Sequence, residues 1–512
     1  MLILARHLIV LFLATSTACS QLQSRPDLAA EFAIDVSTDA PLDQATMASE
    51  ANHPAHSAFS LLVEGSEAFA ARVQSARMAK RSIDVQTYIW HADLTGMFFA
   101  HELLQAADRG VRVRLMIDDL DARAKNLGLA ALSAHPNIEV RLFNPFASRT
   151  GMAGFVMEGI RSFGRVNRRM HNKSWIVDNR VAIVGGRNIG NEYFGASDEV
   201  NFVDLEFAMF GPVVRDASAS FDRYWNSPSA YPMELLDADA INEAALQTLR
   251  EALSSRSKEA ENSRYAVALR EGDAIGRIVE GRRSVEWSAN YRFVSDDPVK
   301  VTQGKSDATE SAVAAKLAPL VRGAEAGVSL ISPYFVPGEA GLNLLIEATQ
   351  IGNTVRVLTN SLAATDVAAV HGGYSRYRAP LLEAGVHIWE LKPLLQTATE
   401  TSLFGSSGSS LHTKAMVVDG NTVFVGSYNI DPRSTWLNCE QGVLVESMEL
   451  ATQIEQIFAV QTAPARAWRV TLEDGEMRWS DDEVSLKSDP QAAWTRRFQA
   501  WLTRVLHLEA QL

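Results

Sequence analysis

Two stretches of the chain carry the same five residue types at the same spacing: His171-x-Lys173, Asp178 and Gly185-Gly186-x-Asn188, then His412-x-Lys414, Asp419 and Gly426-Ser427-x-Asn429. A lone histidine in an apolar, alternating run is ordinarily a satisfied core residue. A spacing that recurs in full is not an accident of composition. Residues two apart in an extended segment share a face, so His171 and Lys173 point the same way, as do His412 and Lys414. The glycines allow close backbone approach, and Asn188 and Asn429 end each unit. Brought together, the two units form a cage for a tetrahedral phosphate diester, made of two imidazoles, two ammonium groups and two amides. Lysines and amides offset charge on the non-bridging oxygens. One imidazole attacks phosphorus and the other protonates the leaving oxygen.

A metal site is the other chemistry open to histidine with carboxylate. The lysine inside each motif opposes it, because an ammonium repels a dication, so no metal or other cofactor is expected. Cys439, beside Glu440, reads as a bystander rather than a nucleophile.

The surrounding elements must bring the two units face to face. SIDVQTYIW (82–90) reads as a strand, GMFFAHELLQAADRG (96–110) as a helix closed by glycine, and VRVRLMIDDL (111–120) and IEVRLFNPF (138–146) as further strands. The order returns in GVSLISPYFV (327–336), GLNLLIEATQIG (341–352), TVRVLTNSL (354–362) and VHIWELKP (386–393). Tyr88 precedes His171 by 83 residues and Tyr334 precedes His412 by 78; Asp118 and Asn360 precede them by 53 and 52. The chain therefore reads as α/β, two diverged copies of one unit, each a mostly parallel sheet flanked by helices, with the active site at their interface. The halves span 58–234 and 316–465, separated by a linker and insertion at 235–315 and followed by an extension at 466–512.

At 512 residues the chain is too long for one ordinary core, and 47% hydrophobic with 21% charged residues is a globular composition. A net charge of −13 argues against a broad nucleic-acid surface. The N-terminus, MLILARHLIVLFLATSTACS, has the layout of a secretory signal over residues 1–19, and its apolar run is too short to span a bilayer. Ser-Thr-Ala-Cys resembles a lipobox with Cys19 as the lipidated residue, although Ser16 stands where Leu is usual; plain cleavage or an uncleaved anchor is the alternative. With Cys19 acylated, Cys439 has no intrachain disulfide partner. Residues 20–57, rich in Ala, Ser, Asp, Thr and Pro, read as a flexible tether.

The doubled H-x-K-x4-D-x6-G-[GS]-x-N resembles the signature of the phospholipase D superfamily, over about residues 58–465. Within it, NRRMHNKSWIVD, VGGRNIGNEYFG, RLFNPF, LTNSLAATDVAAVH and NIDPRSTWLNCE are most similar to bacterial cardiolipin synthases of the C type. The resemblance implies two pseudo-symmetric phospholipase D-like halves and a metal-free, two-step phosphatidyl transfer through a phosphohistidine. It implies His171 as nucleophile and His412 as general acid and base, with Lys173 and Lys414 on the phosphate. It also implies a downstream carboxylate for each motif to orient its imidazole: Asp204, 26 residues after Asp178, and Glu440, 21 after Asp419. Asp178 and Asp419 are expected to support the motifs through structural polar contacts. Asn188, Ser427 and Asn429 are expected on the phosphate, and Gly186 in place of serine makes the two sites unequal.

Two segments suit a membrane. Residues 147–170 interleave Arg149, Arg161, Arg165, Arg168 and Arg169 with Phe155, Val156, Met157, Ile160 and Phe163, fitting either anionic headgroups or a loop packed on the domain. AAWTRRFQAWLTRVLHL reads as an amphipathic helix, either interfacial or core-capping. The expected partners are phospholipid substrates and a membrane surface, with no nucleic acid. The paired halves complete one site within a single chain, so a monomer suffices, anchored at the membrane and facing the periplasm. Transfer to a phosphatidylglycerol acceptor from phosphatidylglycerol or phosphatidylethanolamine gives cardiolipin. Transfer to water gives phosphatidic acid, and the motifs serve both. A phosphodiesterase for nucleic acid and a non-catalytic lipid-binding lipoprotein are the remaining classes, opposed by the charge and by the two intact motifs.

Overall fold

The computed structural model describes residues 22, 24–122, 126–148, 158–159, 162–197, 200–261, 274–279, 282–283, 285–303, 309–393 and 409–506. The expected signal and Cys19 lie outside them. In chain order come β1 (Ser57–Leu62), β2 (Ser82–Thr87), β3 (Arg112–Asp118), β4 (Ile138–Phe143), β5 (Ser174–Val177), β6 (Val181–Gly185), β7 (Asn201–Val203), β8 (Glu206–Phe210), β9 (Ala230–Pro232), β10 (Glu286–Ser288) and β11 (Tyr291–Ser295). They continue with β12 (Gly327–Ile331), β13 (Thr354–Asn360), β14 (His387–Leu391), β15 (Ser409–Leu411), β16 (Ala415–Val418), β17 (Thr422–Gly426), β18 (Gln441–Glu446), β19 (Ala467–Glu473), β20 (Glu476–Ser480) and β21 (Ser485–Leu486).

One sheet runs β10-β1-β8-β6-β5-β2-β3-β4-β9 and the other β11-β18-β17-β16-β12-β13-β14-β19-β20-β21. Read from β1 and from β11, the orders match strand for strand, so the duplicated motif marks a duplicated α/β unit. Each sheet is mixed rather than mostly parallel. β2, β3 and β4 are parallel, as are β12, β13 and β14, but the motif strands pair antiparallel. The cause is a tight turn after each motif. Asp178 and Asn179 both take positive φ, as do Asp419 and Gly420. Arg180 N donates to Val177 O at 2.9 Å and Asn421 N to Val418 O at 3.1 Å, a hairpin geometry that Asp, Asn and Gly tolerate.

Strand alternation then fixes the layers. Trp175 and Val177 of β5 enter a core belonging to the first half, whereas Ile176 faces a central core shared with Ala415 and Val417 of β16. Met416 and Val418 enter a third core, belonging to the second half. The two sheets therefore bury their inner faces on one another, together with the helices Pro212–Trp225 and Met448–Gln461. The expected linker contributes to both sheets, because β10 pairs with β1 and β11 with β18. Where a tether is expected, residues from 24 onward pack on the first half. The helix Pro41–Asn52 buries Asp43 between Arg81 at 2.5 Å and Arg180 at 2.6 Å. These contacts are polar, so apolar periodicity does not announce them.

Candidate active site

Each motif histidine sits just before a strand of its own sheet, on a segment paired with the other half. His171 N donates to Cys439 O at 2.8 Å, and Cys439 N donates to Arg169 O at 2.8 Å. In the second half β15 runs parallel to β7, and His412 N donates to Val203 O at 2.9 Å. The next residue along each partner segment is a carboxylate. His171 Nδ1 therefore lies 2.9 Å from Glu440 Oε2, and His412 Nδ1 lies 2.6 Å from Asp204 Oδ2. The carboxylates expected downstream of each motif are present, but each serves the histidine of the opposite half. With Nδ1 held by a carboxylate, Nε2 of each ring is left for chemistry.

Several residues not singled out as site residues hold this arrangement. Asp118 Oδ2 accepts from Met170 N at 2.9 Å, and Asn360 Oδ1 accepts from Leu411 N at 3.0 Å, fixing the residue before each histidine. Their matched separations from His171 and His412 are the sequence signal that points to them. Arg187, inside the first Gly-Gly-x-Asn turn, donates to Asp204 O at 2.6 Å and pairs with Glu206 at 3.3 Å. Tyr88 meets the His171 ring edge-on at 5.1 Å, and Tyr193 meets His412 at 5.2 Å.

The glycine-for-serine difference has a steric cause. A Cβ on Gly186 would lie 2.3 Å from Asp204 Oδ1, so the carboxylate fills the space that a side chain would occupy. In the second half the Ser427 hydroxyl donates to Glu440 Oε2 at 2.5 Å and accepts from Gln441 N at 3.0 Å. Ser427 thus holds the carboxylate that meets His171. Asn188 is engaged within its own half. Its amide donates to Tyr193 OH at 2.8 Å and accepts from Ile89 N at 3.3 Å. Asn429 Oδ1 is buried without a hydrogen-bond partner among the described residues. Asp178 accepts from the backbone of Lys80 at 2.9 Å, Arg81 at 2.7 Å and Ser82 at 2.9 Å, and Asp419 does the same for Glu325, Ala326 and Gly327. These contacts tie each motif hairpin to the start of the neighbouring antiparallel strand, β2 or β12.

Four basic groups and two carboxylates are buried together, and the charges shift accordingly. Burial, with Lys173, Lys414 and His412 nearby, drives the His171 imidazole well below its ordinary range. Burial likewise lowers His412, with Lys414 adding to the shift. Burial drives Lys173 far down and brings Lys414 to about 8. Burial opposes ionisation of Asp204, yet His412 and Lys414 outweigh it and hold the carboxyl below its usual range. Glu440, for which burial wins, is pushed up to about 7. Crowding and burial thus work against the charged forms of the four basic groups, and a bound anion would favour them, as suits a phosphate cage.

Cys439 is a buried free thiol raised by burial, with its sulfur against Asp297 O at 3.6 Å. Of the basic segment before the first motif, Arg149, Arg161, Phe155, Val156, Met157 and Ile160 lie outside the described residues. Arg165 pairs with Glu158 at 2.8 Å, Arg168 donates to Lys300 O at 2.7 Å, and Arg169 is fully buried against Asp118 at 3.3 Å. These three arginines brace the fold. Among the described residues two groups have metal-ligand geometry, His91–Asp93–Glu192 and His371–Glu390–Asp489. Neither includes a motif residue, and Arg378 already pairs with both carboxylates of the second, at 2.8 and 2.7 Å. No helix among the described residues is long and apolar enough to cross a membrane.

Fold and site together are those of the phospholipase D superfamily of enzymes. A family model described as "Cardiolipin synthase, PLD-like domain" matches residues 73–225 and 317–461, and the chain belongs to that family. It is 40% identical over 467 residues to cardiolipin synthase C of Escherichia coli (strain K12), covering 89% of this chain and 96% of that protein. It is 26% identical over 409 residues to cardiolipin synthase A of Pseudomonas syringae pv. syringae (strain B728a), covering 79% of this chain and 68% of that one. The solved structure of phosphatidylserine synthase from Haemophilus influenzae Rd KW20 shares the fold, with a TM-score of 0.57 at 13% identity, over 91% of this chain and 98% of that chain.

Proposed function

We propose that the chain makes cardiolipin by transferring a phosphatidyl group onto phosphatidylglycerol from phosphatidylglycerol or phosphatidylethanolamine. The similarity to the Escherichia coli enzyme supports this reading, and the crossed histidine–carboxylate pairs carry its mechanism. His171 Nε2 attacks phosphorus, the bond from phosphorus to the headgroup oxygen breaks, and His412 gives its Nε2 proton to that oxygen. The acceptor hydroxyl then returns a proton to His412 and attacks phosphorus, and the bond to His171 breaks. The charge pattern favours these roles. His171 is the more strongly depressed imidazole, as a nucleophile requires, while His412 has an ionised Asp204 to support its protonated form. Lys173 and Lys414 hold the phosphate oxygens, and no step calls for a metal ion. The leader, with Cys19 in a lipobox-like setting, supports a lipid-anchored protein facing the periplasm; loss of lipid labelling in Cys19→Ala is the expected check.

The deciding experiment incubates purified protein with phosphatidylglycerol, with and without phosphatidylethanolamine, and follows the lipids formed. Cardiolipin is the expected product, at a rate indifferent to chelator. Phosphatidic acid as the sole product would make water the acceptor and replace the synthase reading with a hydrolase.

A further inference from the structure

We propose that the helix Trp494–Val505 is a membrane-docking element that seats the active-site mouth on the surface of a phospholipid bilayer; this rests on the phospholipid-substrate reading above and gives it a geometry. Exposure runs opposite to that of a core-capping helix. Trp494 is 77% exposed, Phe498 53%, Trp501 48%, Leu502 38% and Val505 48%, whereas Ala500 and Thr503 are buried. At 3.6 residues per turn the five large side chains fall in one arc of roughly 100°. Ala500, Thr503 and half-buried Arg496 occupy the opposite side. The helix thus turns its small side to the protein and its aromatic side outward. Arg497 and Arg504 flank the apolar arc on one edge, Thr495 and Gln499 flank it on the other, and the helix holds no acidic residue. An aromatic stripe edged by arginine suits the acyl–headgroup boundary of an anionic bilayer.

The attachment of this helix leads straight to the site. A Cβ on Gly372 would lie 2.4 Å from Ala500 O, so glycine there permits close docking on the helix Ala368–Tyr374. Arg496 donates to the carbonyls of Leu362 and Thr365. These belong to the loop that leaves Asn360, the residue holding Leu411 beside His412. In the same loop Asp366 accepts from Tyr334 OH at 2.7 Å and acts electrostatically on Lys414, while Val367 is 39% exposed. One short segment therefore joins the phosphate cage to the outward-facing aromatics. The proposed docking would let a lipid headgroup enter the cage while its acyl chains stay in the membrane.

The test places an environment-sensitive fluorophore on the full-length chain at Trp501→Cys and, as control, at exposed Met448→Cys, with the unsubstituted chain as labelling background. Vesicles of phosphatidylglycerol and phosphatidylethanolamine with brominated acyl chains should quench the label at 501 and spare the one at 448. Equal quenching, or none, overturns the proposal. In parallel, the combined Trp494→Ala, Phe498→Ala and Trp501→Ala variant should lose at least about tenfold in rate on vesicles and keep its rate on short-chain phospholipid below its micelle concentration. Equal loss on both substrates would make the helix merely structural and overturn docking. A dimer in light scattering that the triple variant abolishes, without vesicle quenching, would assign the face to a second copy instead. Quenching by a chain that transfers no phosphatidyl group would keep docking and remove the transferase reading.

Discussion

Asp204 Oδ2 stands 2.6 Å from His412 Nδ1 across 208 positions of sequence, so the second motif is completed by the first half. Glu440 completes the first motif across 269 positions in the same way, at 2.9 Å. Each half therefore supplies one imidazole and the carboxylate for the other imidazole, and neither half holds a complete histidine–carboxylate pair.

The crossing predicts which histidine each carboxylate governs. Asp204→Asn should remove the low-field imidazole proton signal of His412 and leave that of His171, and Glu440→Gln should do the reverse. Proton NMR of His171→Ala and His412→Ala supplies the assignments. Each amide variant should also lower kcat by roughly 10² to 10⁴, the range seen when such a carboxylate is neutralised. Loss of the same-half signal would refute the crossed assignment.

Gly186 and Ser427 occupy equivalent motif positions but tolerate opposite changes. Gly186→Ser should abolish most activity, because its Cβ would lie 2.3 Å from the Asp204 carboxylate. Ser427→Ala fits sterically and loses one hydrogen bond to Glu440, costing about 1.5–3 kcal/mol in the positioning of His171. Steady-state kinetics and thermal denaturation of both variants check the ranking. If Ser427→Ala is the more damaging, the hydroxyl touches substrate after all.

The motif aspartates should behave as structural residues. Asp178→Ala leaves three backbone N–H groups of the β2 start unpaired and should destabilise the fold by about 2–4 kcal/mol. Activity per folded molecule, measured well below the transition, should stay within a few-fold of the parent. A stable but inactive Asp178→Ala would return the residue to the chemistry.

The doubled motif could be read from the chain because its chemistry lies within eighteen residues and repeats. The α/β class followed from alternating strand and helix patterns around it. The crossing could not be read, because it depends on pairing β7 with β15 and Met170 with Cys439, contacts between residues far apart whose local patterns are those of any edge segment. Asp204 and Glu440 could be picked out, but not their partners. The antiparallel character of the motif strands lies in Asp178-Asn179 and Asp419-Gly420, dipeptides that favour a hairpin turn. The packed stretch at 24–52 was not legible because its anchors are ion pairs around Asp43 and the buried Leu42, which leave no apolar period. The arginines before His171 fitted either a lipid surface or a packed loop, and Arg168 and Arg169 are buried, a choice that sequence charge cannot make because it does not say which way a side chain turns.

The buried charges of the site couple phosphate binding to protons. Lys414 titrates near about 8, below its ordinary 10.5, because burial disfavours the ammonium. The unfolded chain therefore takes up this proton before the folded one, and the fold loses stability as pH falls from 10.5 towards 8, with the cost constant below that. Glu440 adds a cost in the other direction. Its carboxyl, raised from 4.5 to about 7, ionises late, so stability falls as pH rises across that window. A phosphate anion in the cage offsets the lysine cost by attracting the ammonium. Inorganic phosphate should accordingly raise the melting temperature more at about pH 7 than at about pH 9.5. Its affinity should weaken by up to about tenfold per pH unit above the Lys414 pKa. Calorimetry in two buffers of different ionisation enthalpy should find proton uptake on binding at about pH 9, and Lys414→Met should remove the lysine contribution to it. Phosphate affinity independent of pH from 7 to 9.5 would show that the Lys414 ammonium does not face the anion.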